Sequence, residues 1–93
     1  MNYSLQLQKE AILEMQDAFD WYELQKSGLG YVFLEELEGC FQKICDHPEY
    51  YGLLNEWIRR VKVNGFPYLV VYEIENDYIV VNSVFHTSRS PKR

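Results

Sequence analysis

From Trp57 to Arg93 the chain reads WIRRVKVNGFPYLVVYEIENDYIVVNSVFHTSRSPKR, three strand-like runs followed by a short basic tail. Ile58 to Val63 alternates, so Arg60 and Lys62 share one side of a strand while Arg59, Val61 and Val63 share the other. One face is therefore expected to carry a paired positive charge. Tyr68 to Ile74 is apolar on both parities, the pattern of a strand covered on two sides, and is placed near the centre of a sheet. Tyr78 to Phe85 is rich in β-branched and aromatic residues. It follows Glu75-Asn76-Asp77, where Asn and Asp tolerate the left-handed backbone of a tight turn. Asn64-Gly65-Phe66-Pro67 punctuates an earlier turn and confines Pro67 to the start of the next strand. Three antiparallel strands in succession make a meander.

Working outward, 93 residues and 11.1 kDa support one domain, residues 1–93, with a single core. A hydrophobic content of 47% excludes a disordered chain. No apolar run reaches the roughly 18 residues of a membrane span, and MNYSLQLQKE lacks the basic and apolar regions of a signal peptide, so the cytoplasm is expected. Cys40 and Cys45 lie nearly opposite one another on a predicted helix and cannot pair. They read as two buried thiols, and no metal-ligand spacing accompanies them. The net charge of −5 is uneven: residues 1–56 hold three Lys against eleven acids, residues 57–93 six Lys or Arg against three. A local basic surface on an acidic body suits an anionic partner at the C-terminal half, while the overall field disfavours binding of free nucleic acid.

Before the meander, Asn2 to Gln6 alternates weakly, as a short edge strand does. From Lys9 to Gln25 the apolar positions Ala11, Ile12, Met15, Ala18, Phe19 and Tyr22 recur at helical spacing, with Glu10, Glu14, Asp17, Asp20 and Glu23 between them. The helix stops at Lys26-Ser27-Gly28, with Gly28 suited to a left-handed cap. A second helix runs from about Gly30 to Asp46, with a stripe of Phe33, Leu34, Leu37, Phe41 and Ile44 and with Glu35, Glu36 and Glu38 exposed; His47-Pro48 ends it. The two form an αα-hairpin whose stripes need a sheet to cover. The connector PEYYGLLNEW, Pro48 to Trp57, is rich in apolar residues and is expected to pack as a loop closing one end of the core.

The expected architecture is thus α+β in β-α-α-β-β-β order, an antiparallel sheet packed against an αα-hairpin. With Ala18 to Tyr22 (AFDWY), Gly28 to Leu37 (GLGYVFLEEL), His47-Pro48, Ile58-Arg59-Arg60, Phe66-Pro67-Tyr68 with Tyr72, and Val84-Phe85-His86 with Arg89 and Pro91, the chain resembles the RelE/ParE superfamily of bacterial type II toxin–antitoxin toxins. It is most similar to the ParE-like, or plasmid stabilisation protein, branch. The resemblance covers nearly the whole chain. It implies a small toxin that inhibits growth and is neutralised by an antitoxin protein as a hetero-oligomer. It also implies one of two actions: RelE-like members cut messenger RNA on the ribosome, and ParE-like members act on DNA gyrase.

Ribonuclease chemistry without a metal needs a group that takes the 2′-hydroxyl proton, a group that protonates the leaving oxygen, and cations that hold the developing charge. His86, Arg60 and Arg89, with Lys62, are the only candidates for such a catalytic set. The bland alternative is a structural His86 at a strand end and arginines that form salt bridges or line an antitoxin groove. No dense Lys/Arg cluster is present, and a chain of charge −5 meets the ribosome unfavourably. The sequence therefore favours action by binding, with gyrase as target, no cofactor, and Arg59, Arg60, Lys62, Tyr72, His86 and Arg89 as contacts to antitoxin or target. Many members of the superfamily continue beyond the Arg and Pro motif, whereas this chain ends at Pro91-Lys92-Arg93. That shortening would weaken either activity and admits a third reading, a non-toxic antitoxin-binding domain.

Overall fold

The computed structural model describes residues 3–88; Arg89 and the basic tail lie outside the described residues. The elements run β1 (Ser4–Leu7), α1 (Lys9–Gln25), α2 (Leu29–Asp46), β2 (Ile58–Lys62), β3 (Tyr68–Glu75) and β4 (Tyr78–His86). The four strands form one sheet in the order β1-β4-β3-β2. β2, β3 and β4 are the expected antiparallel meander, with β3 inside it, and β1 is an edge strand. The sheet is mixed rather than wholly antiparallel, because β1 pairs parallel with β4, Leu5 opposite Ile79 and Leu7 opposite Val81. The helix hairpin is the long crossover that a returning parallel edge requires, and it covers one face of the sheet.

β4 contains the irregularity that fits the sheet to the helices. Val71 pairs with Ser83 and Tyr72 with Val81, so Asn82 is an extra residue at a β-bulge. The bulge resets alternation, and Ile79, Val81 and Val84 all reach the core at 0% exposure. Glu14 of α1 anchors the same point: its Oε1 accepts 2.8 Å hydrogen bonds from Val84 N and from Ser83 Oγ. Turning Glu14 inward rotates α1 relative to the expected stripe. Ala11 and Ala18 are buried against the sheet, whereas Ile12 is exposed.

α2 buries Phe33, Leu37, Cys40 and Ile44. Its start is held by Glu23, whose carboxylate oxygens accept from Gly28 N at 3.2 Å and Gly30 N at 2.7 Å. Gly28 takes the left-handed conformation, φ 92°, that the turn between the helices needs. Tyr22, Phe33, Phe66 and Tyr68 form the aromatic centre of the core, with ring centroids 5.0 to 6.2 Å apart. Cys40 is buried, but Cys45 is only half-buried, and both thiols are free.

The connector departs from expectation. Pro48 is buried and Tyr51 half-buried, but Tyr50, Leu53, Leu54 and Trp57 all stand out in solvent, Tyr50 at 80% and Trp57 at 61% exposure. Its backbone is nevertheless fixed. Gly52 O accepts from Arg60 N at 3.1 Å, Leu53 bridges Arg59, and Asn55 Oδ1 accepts from Trp57 N and Ile58 N. The connector folds along the outer edge of β2 as a small hairpin and does not close over the core.

Candidate functional site

β2 divides its basic residues among three places. Arg59 alternates inward: its guanidinium donates to Tyr51 O at 2.7 Å and Glu49 O at 3.3 Å, tying the connector to the sheet. Arg60 faces outward and is exposed, opposite Val71. Lys62 begins on the same side as Arg60, but its ammonium curls round the sheet edge and donates to Phe66 O at 3.1 Å and Val63 O at 3.3 Å. The expected paired charge on one face is therefore split, because β2 has no neighbouring full strand to keep a long side chain from bending over the edge.

Tyr72 lies beside Arg59 in the interior at 0% exposure, and its hydroxyl donates to Pro48 O at 2.7 Å. Burial pushes its phenol up to about 12 against the opposing pull of the Arg59 guanidinium. Tyr72 and Arg59 together brace the connector from below. Burial likewise pushes the Cys40 thiol up to about 11, against the pull of Lys43.

His86 pairs across strands with Tyr68, and their rings meet edge-on with centroids 5.1 Å apart. Tyr68 is part of the core beneath the helices, so His86 belongs to the helix side of the sheet, while Arg60 and Val71 belong to the other side. The fold does not bring His86 and Arg60 together. Arg89, the third candidate, lies outside the described residues. Among the described residues no group of three His, Cys, Asp or Glu side chains is arranged to hold a metal ion, and no helix is long and apolar enough to cross a membrane.

Two surfaces show the features of partner sites. The outer side of the helix hairpin has a groove of about 370 Å³ lined by Ile12, Met15 and Phe19 of α1 and Tyr31 and Leu34 of α2. Tyr31, at 65% exposure, stacks edge-on against Phe19 at 4.9 Å. On the other flank of α2, a cleft of about 430 Å³ opens toward β2, floored by Cys40, Val61 and Val63 and flanked by Lys43 and Lys62. The cleft includes Lys62, one of the contacts expected from the sequence, whereas the groove residues Ile12, Met15, Phe19, Tyr31 and Leu34 are not among them. The available signal was an α1 apolar pattern too wide for one buried stripe, Ile12, Leu13, Trp21 and Leu24 beside the core positions.

Comparison with known proteins decides the lineage. The family described as the ParE toxin of type II toxin-antitoxin systems, parDE, matches residues 5–91. The chain belongs to the ParE toxin family. It is a ParE-type toxin of a type II toxin–antitoxin system, within the RelE/ParE superfamily. No curated protein sequence matches it. Among solved structures, a chain of the chromosomal ParDE toxin–antitoxin system of P. aeruginosa has the same fold, with a TM-score of 0.81 at 10% identity, over 92% of this chain and 97% of that one. A free-state mutant of the E. coli toxin RelE gives 0.71 at 20% identity, covering 95% and 86%. A YoeB dimer from Staphylococcus aureus gives 0.64 at 12% identity, covering 92% and 99%. This ParE-family chain thus shares with them the two-helix, four-stranded α+β architecture.

Proposed function

We propose that this ParE-family toxin inhibits growth in the cytoplasm by binding a protein target, DNA gyrase, and that an antitoxin neutralises it by covering the helix hairpin. The observation that carries the reading is the separation of His86 from Arg60 by the thickness of the sheet. General acid–base work on RNA needs a proton-transfer group and a cation within reach of one phosphate, and these two stand on opposite faces. A binding protein needs instead exposed apolar anchors on a rigid frame. The chain has these in Tyr31 and Ile12 over the groove and in Leu53, Leu54 and Trp57 on the pinned connector.

The similar P. aeruginosa chain comes from a ParDE toxin–antitoxin system, which supports an antitoxin as partner here. The groove fits an amphipathic segment, and the connector, projecting from the opposite end of α2, remains for the target. Growth of a bacterial host expressing the chain alone tests the reading, with plasmid supercoiling and ribosome-bound transcripts followed in the same cells. Arrest with altered supercoiling and intact transcripts is expected, relieved by the antitoxin. Arrest with transcripts cut on the ribosome would replace this reading with ribonuclease activity, and undisturbed growth at good expression would replace it with a non-toxic binding domain.

A further inference from the structure

The sheet has a second apolar face. By strand parity Tyr68, Val70 and Tyr72 of β3 turn to the helices, so Leu69, Val71, Glu73 and Glu75 turn away from them. Cross-strand register adds Arg60 and Ile58 of β2, opposite Val71 and Glu73, and Val80 and Phe85 of β4, opposite Glu73 and Leu69. None of the apolar side chains Ile58, Leu69, Val71, Val80 and Phe85 packs into the core beneath the helices. Val71 at 8% and Val80 at 7% exposure are nonetheless shielded by their neighbours on the strands. The face is already packed, and covering it orders little that is not ordered beforehand.

Two charges stand in this apolar setting. Arg60 is exposed, and Glu73, one strand over and diagonal to it, is half-buried. Burial pushes the Glu73 carboxyl above its usual range, and the charge of Glu75 and a hydrogen bond with it add to the effect. Among the described residues no cation, Arg60 included, acts on Glu73. The guanidinium and the carboxylate are neighbours that are not joined within the chain.

The remaining surface narrows what can cover this face. The hairpin is acidic, with five acids on α1 and four on α2 against Lys9 and Lys43, so two copies repel one another hairpin to hairpin. The connector adds Glu49 and Glu56. On the open sheet face both signs are present, with Arg60, and Lys62 at the edge, set against Glu73 and Glu75. In a two-fold interface each residue meets its counterpart's neighbour, so one Arg and one Glu on the same face make two ion pairs.

We propose that the open face of the sheet is the interface of a weak homodimer, in which Arg60 of each copy pairs with Glu73 of the other across a floor of Ile58, Val71 and Val80. Arg60, expected from the sequence to contact antitoxin or target, is thereby assigned to a second copy. The eight residues of β3, flanked by β2 and β4, give about 400–500 Å² per copy. That area is at the low end for a specific interface and corresponds to a dissociation constant on the order of 0.1 mM. The proposal stands apart from the toxin reading, since it uses no property of an antitoxin or a target.

Sedimentation equilibrium of the chain alone between about 10 µM and about 1 mM tests it, with amide shifts followed over the same dilution. A monomer–dimer equilibrium is expected, with shifts at Leu69, Val71, Glu73 and Val80. Arg60→Glu and Glu73→Arg each place two like-charge contacts in the interface and should weaken self-association about tenfold or more. Glu73→Arg also reduces the net negative charge, so a general charge effect would move its association the other way. Mixed in equal amounts, the two variants should associate with each other, because every contact in the mixed dimer again joins opposite charges. A chain that stays monomeric to about 1 mM, dilution shifts confined to the hairpin or the connector, or a mixture no tighter than its components would overturn the proposal. The dilution of the parent chain decides it even where a variant fails to fold.

Discussion

Gly30 is the tightest point between the helices. A Cβ at this position would come within 2.7 Å of Phe19 Cδ1, 2.8 Å of Glu23 Cγ and 2.8 Å of Phe19 O. The last is backbone and cannot move aside without shifting α1. Gly30→Ala is therefore expected to destabilise the fold by about 1–3 kcal/mol despite alanine's better helix propensity, measured as a lower midpoint in urea. Gly39→Ala, where space is open, should move the midpoint the other way. Cys40 sets a limit on the alkaline side. Its thiol ionises near 9 in an unfolded chain and at about 11 when folded, so between these values the native state holds the extra proton. Stability from this group is complete below pH 9 and is lost as pH rises toward 11. Cys40→Ala should flatten the fall in denaturation midpoint over that window, whatever its effect at pH 7.

At the level of elements, α1 is held to the sheet by a carboxylate as much as by its apolar stripe. Glu14 Oε1 satisfies Val84 N at the bulge as well as the Ser83 hydroxyl. Removing it leaves a half-buried backbone donor without that acceptor, and Glu14→Ala is expected to cost about 1–3 kcal/mol. Hydrogen exchange should show the loss first at Val84. The connector shows the reverse arrangement, a fixed backbone with exposed side chains. Trp57→Ala is expected to leave stability within about 0.5 kcal/mol of the parent, since Trp57 packs little of its surface. If the connector serves the target, the same variant loses growth inhibition while still binding the antitoxin. A drop in stability of several kcal/mol would show instead that Trp57 supports the fold.

Across the whole molecule, the charges organise surfaces more than they stabilise the core. The acidic hairpin and the few cations near β2 create two poles on a chain whose Cα radius of gyration is 13.0 Å. Charge contacts with a partner at either pole are screened by salt, with a Debye length of about 8 Å at physiological ionic strength. Antitoxin binding should therefore weaken as salt is raised, read as a falling affinity in titration calorimetry. The ParE family relationship itself was readable in the order of short motifs, each weak alone, from Ala18 to Tyr22 through to His86.

Element types and their order followed from local pattern: alternation in β2, two-sided burial in β3, helical spacing in α1 and α2, and turns at Gly28, Gly65 and Asn76, all three in left-handed conformations. These depend on residues a few positions apart, which is the range over which sequence periodicity speaks. The site residues did not follow in the same way. Arg59 and Tyr72 read as contact residues, yet they are drawn inward by the carbonyls of Pro48, Glu49 and Tyr51. Lys62 left Arg60 because β2 borders only a short bridge on its outer side. The bulge at Asn82, the inward turn of Glu14 and the opposite faces of His86 and Arg60 depend on how β4 meets β3 and α1. Partners far apart in the chain determine which face a side chain takes, and only tertiary packing decides it.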